Sequence, residues 1–155
     1  MRWNLTSQLS LWRFVLVSRI TAWLARRAYL ASITQWVMRR LAEITIAERT
    51  LQPKTDLRSI AEEWRRAFPK DHPIVEAGHD TILAEIPSHC ALRGTGDVAA
   101  CWRMMEYDRS LLRRIGGEFA VIESQATGGS KCLVAIRAKG AGFSDLRQAH
   151  ESKSR

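Results

Sequence analysis

Three cysteines, a histidine and an aspartate lie close together in the second half of this 155-residue sequence. His89 and Cys90 precede a glycine-containing turn, Cys101 and Asp108 follow it, and Cys132 comes after a second glycine turn. Thiolates act as nucleophiles and metal ligands, and imidazole or carboxylate groups move protons. This set therefore predicts nucleophilic catalysis, a metal or iron–sulfur centre, or a group of small core residues.

The spacing of these residues does not match a zinc site. The sequence has no CxxC pair and no helix with paired histidines, and "RGTGD" lacks the lysine and hydroxyl residues of a nucleotide-binding loop. We therefore expect no metal and no cofactor. The alternative is an iron–sulfur cluster held by Cys90, Cys101 and Cys132, with His89 or a carboxylate as the fourth ligand.

The position of Cys101 predicts a reactive thiol. It lies one turn into an expected helix, where the helix dipole favours the thiolate and lowers the thiol pKa. On this argument Cys101 is a nucleophile or a ligand.

Alternating and β-branched residues predict three short strands in this part of the chain. The segment 81–86 alternates, and "EFAVIES" and "KCLVAIRA" are two further strands joined by the glycine turn "QATGGS". Together with the helices, they predict an α+β fold, in which N-terminal helices are followed by a small antiparallel sheet with one packed helix.

Two helices are predicted from capping residues and apolar stripes. One runs over 98–115, with Asp97 as N-cap and Gly116 and Gly117 as its stop. The other follows Pro53, with Thr55 or Asp56 as its cap. The expected buried stripe of this second helix is formed by Leu57, Ile60, Ala61, Trp64 and Phe68.

The first 52 residues have a distinct composition. They contain no proline or glycine, and residues 1–47 carry seven arginines and one acid, or +6 of the net charge of +8. This predicts a helical arm, although the arginines leave no uncharged run of the ~18 residues that a membrane span needs. The expected apolar stripe of the arm is formed by Trp12, Ile20, Trp23, Leu30, Val37, Leu41 and Ile44.

Three interpretations of this arm remain open. The helices pack on the domain with solvated arginines, or they contact an anionic membrane surface or a second copy through residues 8–47, or they form a targeting presequence. No nucleic acid is expected, since no reading motif accompanies the charge. The odd number of cysteines predicts a reducing, cytoplasmic location. Membrane association through the N-terminal helix is a further alternative within this prediction.

These patterns divide the chain into three parts. We expect the arm over 1–52, an α+β domain over 53–140 and a disordered basic tail over 141–155.

The order of motifs resembles the L-2-amino-thiazoline-4-carboxylic acid hydrolase-like family. Cys90 follows a strand, Asp108 lies on the next helix, and "LLRRIGG" and "ATGGSKC" with Cys132 follow, so that the resemblance covers about residues 80–138. Vinyl-reductase-like small-molecule-binding domains and the sensor halves of some iron–sulfur regulators have a related pattern. The resemblance implies a small α+β domain that opens a cyclic amidine or thiazoline carboxylate.

It also implies roles for individual residues. Cys90 or Cys101 would be the nucleophile, with His89 or Asp108 as the acid or base. Arg93 or Arg103 would hold the substrate carboxylate, because a guanidinium binds it bidentately. Trp102 and Cys132 would complete the substrate site. The alternative is a non-enzymatic small-molecule or iron–sulfur sensor.

Overall fold

The structure is a computed structural model that describes residues 16–69 and 71–150. Helices and strands alternate in blocks within these ranges, which confirms the predicted α+β class. The elements are α1 (16–25), α2 (Ala31–Arg49), α3 (Leu57–Ala67), β1 (Ile74–Ala77), β2 (Ile82–Ile86), α4 (Val98–Met104), α5 (Glu106–Ile115), β3 (Gly117–Glu123) and β4 (Cys132–Ala138), with 3₁₀ turns at Ala28–Leu30 and Gln125–Thr127.

The four strands form one antiparallel sheet in the order β1-β2-β4-β3. Strands β2, β3 and β4 confirm the three predicted strands, whereas the short β1 was not predicted because it follows Pro73 in a mostly exposed segment. In the register of β2 and β4, Ile86 pairs with Cys132. The chain leaving β2 therefore starts beside the first residue of β4.

Helix α3 packs its apolar stripe into the core, as predicted. Ile60, Ala61 and Trp64 are buried, and the rings of Phe68 and His72 contact Trp64. The side chain of Asp56 caps this helix by accepting from the N–H of Ser59 at 2.9 Å, so the predicted capping is confirmed.

The prediction of a single helix over 98–115 is wrong, because the helix is interrupted at Met105 and forms α4 and α5 instead. Met105 has φ −67° and ψ 0°, and the guanidinium of Arg109 donates to the carbonyl oxygen of Trp102 across the turn. Cys101 of α4 and Asp108 of α5 are both buried. Apolar periodicity does not detect such a break, since both helices keep a buried face.

The ends of these helices agree with the sequence prediction. Asp97 caps α4 by accepting from the N–H of Ala100 at 2.9 Å. Gly116 ends α5 with φ 95°, in the left-handed region, and the N–H of Lys54 donates to the carbonyl of Ile115 at 2.9 Å.

The arm is a pair of helices whose buried face differs from the predicted stripe. Ile20, Trp23 and Ile44 are each at least half exposed, and Trp12 lies outside the described residues. Small side chains face the core instead, which allows close packing of the backbone. The buried residues of α1 and α2 are Thr21, Ala22, Ala25, Thr34, Met38 and Ala42.

The prediction of a disordered tail is wrong for residues 141–150. Asp145 pairs with Arg137 at 2.6 Å, and the N–H of Ala149 donates to the carbonyl of Val121 at 2.8 Å, along the free edge of β3. Composition did not reveal this edge pairing, which uses backbone groups alone. Residues 151–155 lie outside the described part of the chain.

None of the helices in the described residues is long and apolar enough to cross a membrane.

Gly116→Ala is expected to destabilise the protein by about 3 kcal/mol or more. A Cβ there would adopt a strained φ and overlap the backbone carbonyl of Lys54. Gly140 is the matched control, since it has φ 91° and open space around it, and its change to alanine should cost about 1 kcal/mol. Urea unfolding of both variants measures the difference, and equal costs would contradict the proposed overlap.

Candidate functional site

The fully buried side chain of Gln125 lies among the segments that carry Cys90 and Cys132. Its backbone N–H donates to the sulfur of Cys132 at 3.4 Å, and its Oε1 accepts from the N–H of Cys90 at 3.1 Å. Its Nε2 donates to the carbonyls of Ile86 and Ser88 at 3.1 and 2.8 Å. The loop after β2 is therefore held against the start of β4.

Cys101 forms a cluster with a hydroxyl and an imidazole. Its Sγ is 3.2 Å from the Oγ of Ser124 and 3.2 Å from the Nε2 of His150. Helix α4 supplies the thiol, the end of β3 supplies the serine, and the tail supplies the histidine. The cluster is a thiol with a potential base within hydrogen-bond distance, which is the geometry that nucleophilic catalysis requires.

Burial sets the protonation of this cluster. It raises the pKa of Cys101 to about 11, and the hydrogen bond from Ser124 offsets only part of that rise. Burial lowers the pKa of His150 to about 4, with a smaller contribution from the charge of Arg109. Thiol and imidazole are both neutral at pH 7 as a result. The predicted lowering of the Cys101 pKa by the helix dipole is therefore wrong, because desolvation is the larger effect.

Asp108 is a buried carboxyl group whose pKa is close to neutral pH. Burial raises its pKa to about 7, although the charge of Arg109 acts in the opposite direction. Its Oδ1 has no hydrogen-bond partner in the described part of the chain. The pKa of Cys132 is raised mainly by burial, with smaller contributions from Cys90 and Asp108.

An open cleft of about 1240 Å³ adjoins the thiol cluster. Both hydrogen-bond partners of the Cys101 sulfur, Ser124 and His150, line it. Trp102 and Arg103, which were predicted to bind substrate, line it as well. Arg109 stacks on the ring of Trp102 with 4.3 Å between its guanidinium carbon and the ring centroid, which orients the indole.

The remaining predicted residues lie elsewhere. His89 is exposed, and it does not line the cleft. Arg93 donates to Gln125 Oε1 at 2.9 Å and to the carbonyl of Ser130 at 2.7 Å, so it links two loops. Cys90, Cys101, Cys132 and Asp108 are also absent from the cleft lining. The structure thus brings Trp102 and Arg103 to the cleft, while the buried Cys101 adjoins it through its partners Ser124 and His150.

Sequence reasoning missed three residues of this region. His150 was assigned to the disordered tail, and Ser124 was taken as the last residue of a strand. Gln125 was taken as part of a glycine turn, and a lone glutamine gives no signal of burial. The sequence signal that could have indicated a site role for His150 is its imidazole side chain, in a chain that also contains free thiols.

The three thiols do not fit an iron–sulfur cluster in this arrangement. Cys101 Sγ contacts Ser124 and His150, Cys132 Sγ accepts from Gln125, and Cys90 Sγ accepts from the N–H of Leu92 at 3.4 Å. Within residues 16–69 and 71–150, no group of three or more His, Cys, Asp or Glu side chains could hold a metal ion.

Comparison of the chain with protein-family models, with curated proteins and with solved structures finds no match to any of them. The resemblance to the thiazoline carboxylate hydrolase-like family therefore stays a prediction from the motifs.

One thiol per chain should react quickly with Ellman's reagent in the native protein. Cys90 is half-buried, whereas Cys101 and Cys132 are buried and have raised pKa values. We expect one thiol per native chain to react quickly, and this fast reaction should disappear in Cys90→Ser. In guanidinium all three thiols of the wild-type chain should react. A fast phase that survives in Cys90→Ser would contradict the burial of the other two thiols.

Asp108→Asn should stabilise the protein increasingly between pH 4 and 7. A folded pKa of about 7 lies above the unfolded value of 3.8, so the contribution of Asp108 is full below pH 3.8 and is lost as the pH rises through 7. The gain in unfolding free energy, variant minus wild type, should grow by roughly 1.4 kcal/mol per pH unit. Taking this difference cancels the opposite contributions of His72 and His150, whose folded pKa values are about 4.

Asp145→Asn is the control for this measurement. The hydrogen bond from Arg137 lowers the pKa of Asp145 to about 2, so this carboxylate is ionised in both the folded and the unfolded chain over most of that range. Its removal should change stability by a constant amount. A constant difference for Asp108→Asn as well would show that the buried carboxyl titrates normally.

Proposed function

We propose that this protein is a thiol-dependent hydrolase that opens a small heterocyclic carboxylate of the thiazoline or cyclic amidine type. The observation that carries the proposal is the 3.2 Å distance between the Cys101 sulfur and the His150 Nε2, next to an open cleft. The motif resemblance supports the substrate class. In this proposal Cys101 is the nucleophile, and His150 takes the role that the sequence suggested for His89 or Asp108.

Because thiol and imidazole are both neutral, the thiol must transfer its proton to His150 as it attacks. As Cys101 attacks the amidine carbon, an S–C bond forms and the thiol proton moves to Nε2 of His150. The ring bond from that carbon to nitrogen or sulfur then breaks, and the leaving atom takes the proton back. Water attacks the resulting thioimidate-type intermediate and His150 accepts one proton of the water. The S–C bond then breaks, and His150 returns this proton to the sulfur to restore the thiol. The net reaction consumes one water.

The cleft offers groups for the rest of such a substrate. Arg103 lines it, and its Nη1 donates to the carbonyl of Ala25 at 2.6 Å, the hydrogen bond that this side chain makes within residues 16–69 and 71–150. A guanidinium has five N–H donors, so Arg103 retains donors for a carboxylate. Trp102 is 43% exposed and offers an aromatic face to a flat ring.

The proposal is tested by incubating the full chain with 2-aminothiazoline-4-carboxylate. Ring opening is followed as the release of a titratable thiol or amine. Cys101→Ala should lower kcat/KM by about 10³-fold or more, and His150→Gln by about 10²-fold or more. His89→Gln is the matched control and should leave kcat/KM within about twofold. Activity lost in Cys90→Ser but kept in Cys101→Ala would assign the nucleophile to Cys90 instead.

The acid limb of the pH profile gives a second readout. Because burial holds the pKa of His150 near 4, kcat/KM should fall only below about pH 4, where the imidazole is protonated and no longer accepts. An acid limb with its midpoint near pH 6.5 would indicate that an exposed histidine acts as the base instead. Tight binding of the heterocycle without turnover, unchanged in Cys101→Ala, would favour the alternative of a non-enzymatic ligand-binding module.

A further inference from the structure

The arm exposes large apolar side chains on both of its helices. We define the arm surface as the following residues, each at least half exposed: Ile20, Trp23, Tyr29, Ile33, Trp36 and Ile44. Tyr29 is 79% and Trp36 60% exposed. Surface helices of globular proteins direct such residues to the core, so exposed apolar side chains of this size and number mark an interaction site.

This exposure does not result from a helix that lacks a partner. Both helices are already packed on the domain through small residues, with Ala25 and Ala42 fully buried. Arg39 of α2 reaches Glu106 at 2.9 Å, and Thr45 bonds to the hydroxyl of Tyr107 at 2.8 Å. The arm surface is therefore the outer side of a docked element.

Positive charge accompanies these apolar groups. Arg19 and Arg40 are exposed on the same two helices, and Arg26 is exposed in the turn between them. Arg40 pairs with Glu43 at 2.6 Å and Arg26 lies 3.7 Å from Asp97, whereas the guanidinium of Arg27 lies 3.5 Å over the ring of Trp23. The preceding segment 1–15 adds two arginines and no acid.

We propose that the arm surface binds an anionic lipid bilayer, lying in its interface. Tryptophan and tyrosine favour the headgroup region, isoleucines insert below it, and arginines extend toward lipid phosphates. A second copy of the chain is the less suitable occupant, because pairing two arms would place the eight arginines of each copy close together with only Glu43 and Glu48 as acids within residues 1–52. This proposal does not depend on the hydrolase assignment.

Co-sedimentation of the full chain with vesicles tests the proposal. Binding to vesicles of phosphatidylglycerol and phosphatidylcholine in equal parts should exceed binding to pure phosphatidylcholine by at least tenfold. It should also weaken when salt rises from 0.05 to 0.5 M. The double variant Trp23→Ser with Trp36→Ser should lower the partition coefficient at least tenfold, and Arg19→Gln with Arg40→Gln should lower it roughly fivefold per arginine.

Matched controls lie outside the arm. Val75 is 49% exposed on β1, and Val75→Ser should leave binding unchanged. Arg58→Gln with Arg65→Gln removes the same charge from α3 and should lower binding by less than twofold. Circular dichroism and the melting temperature establish that each variant is folded.

Three results would overturn the proposal. Absence of binding to the anionic vesicles is the first, and equal losses in the arm and control variants are the second. The third is a concentration-dependent dimer in sedimentation velocity that disappears in the tryptophan variant while vesicle binding persists, because the arm surface would then be a contact between copies.

Discussion

The arrangement of the site depends on one buried glutamine. Gln125 has no exposed surface, and its amide and backbone groups bond to the end of β2, the Cys90 loop, Arg93 and Cys132. Its carbonyl also accepts from the N–H of Gly94 at 2.9 Å. A buried amide is costly unless its groups are paired, and here a network pairs them. The loop between β2 and α4 therefore has a fixed path, and that path sets where α4 places Cys101.

A buried carboxylate plays the corresponding role for the arm. Burial alone would raise the pKa of Glu106, but hydrogen bonds from Arg39, Arg113 and Arg109 outweigh it and bring the pKa to about 2. One of these arginines comes from α2 and two from α5, so the charged group joins the arm to the domain. Because each guanidinium is pre-shaped for a carboxylate, the contact also fixes the orientation of the two helices.

The sequence predicted local structure more successfully than contacts between distant residues. The caps Asp56 and Asp97, the stop at Gly116 and three of four strands follow from short-range rules. The break at Met105, the exposed arm surface and the position of His150 depend on which faces meet in three dimensions. The same limit applies to the site: proximity in sequence favoured His89, whereas the pairing of Ala149 with the edge of β3 brings His150 to the thiol. Desolvation of Cys101 could not be anticipated either, since helix position indicates the dipole but not the burial.

The arm connects the two proposals physically. Ala31 and Gln35 of α2 line the cleft, while Ile33 and Trp36 of the same helix are exposed on the arm surface. Arg103 binds the carbonyl at the end of α1 from inside the cleft. A bilayer that binds the arm surface would thus contact the helix that forms one wall of the cleft. Since Arg39 of that helix is bonded to Glu106 of α5, docking of the arm would orient the cleft relative to the membrane.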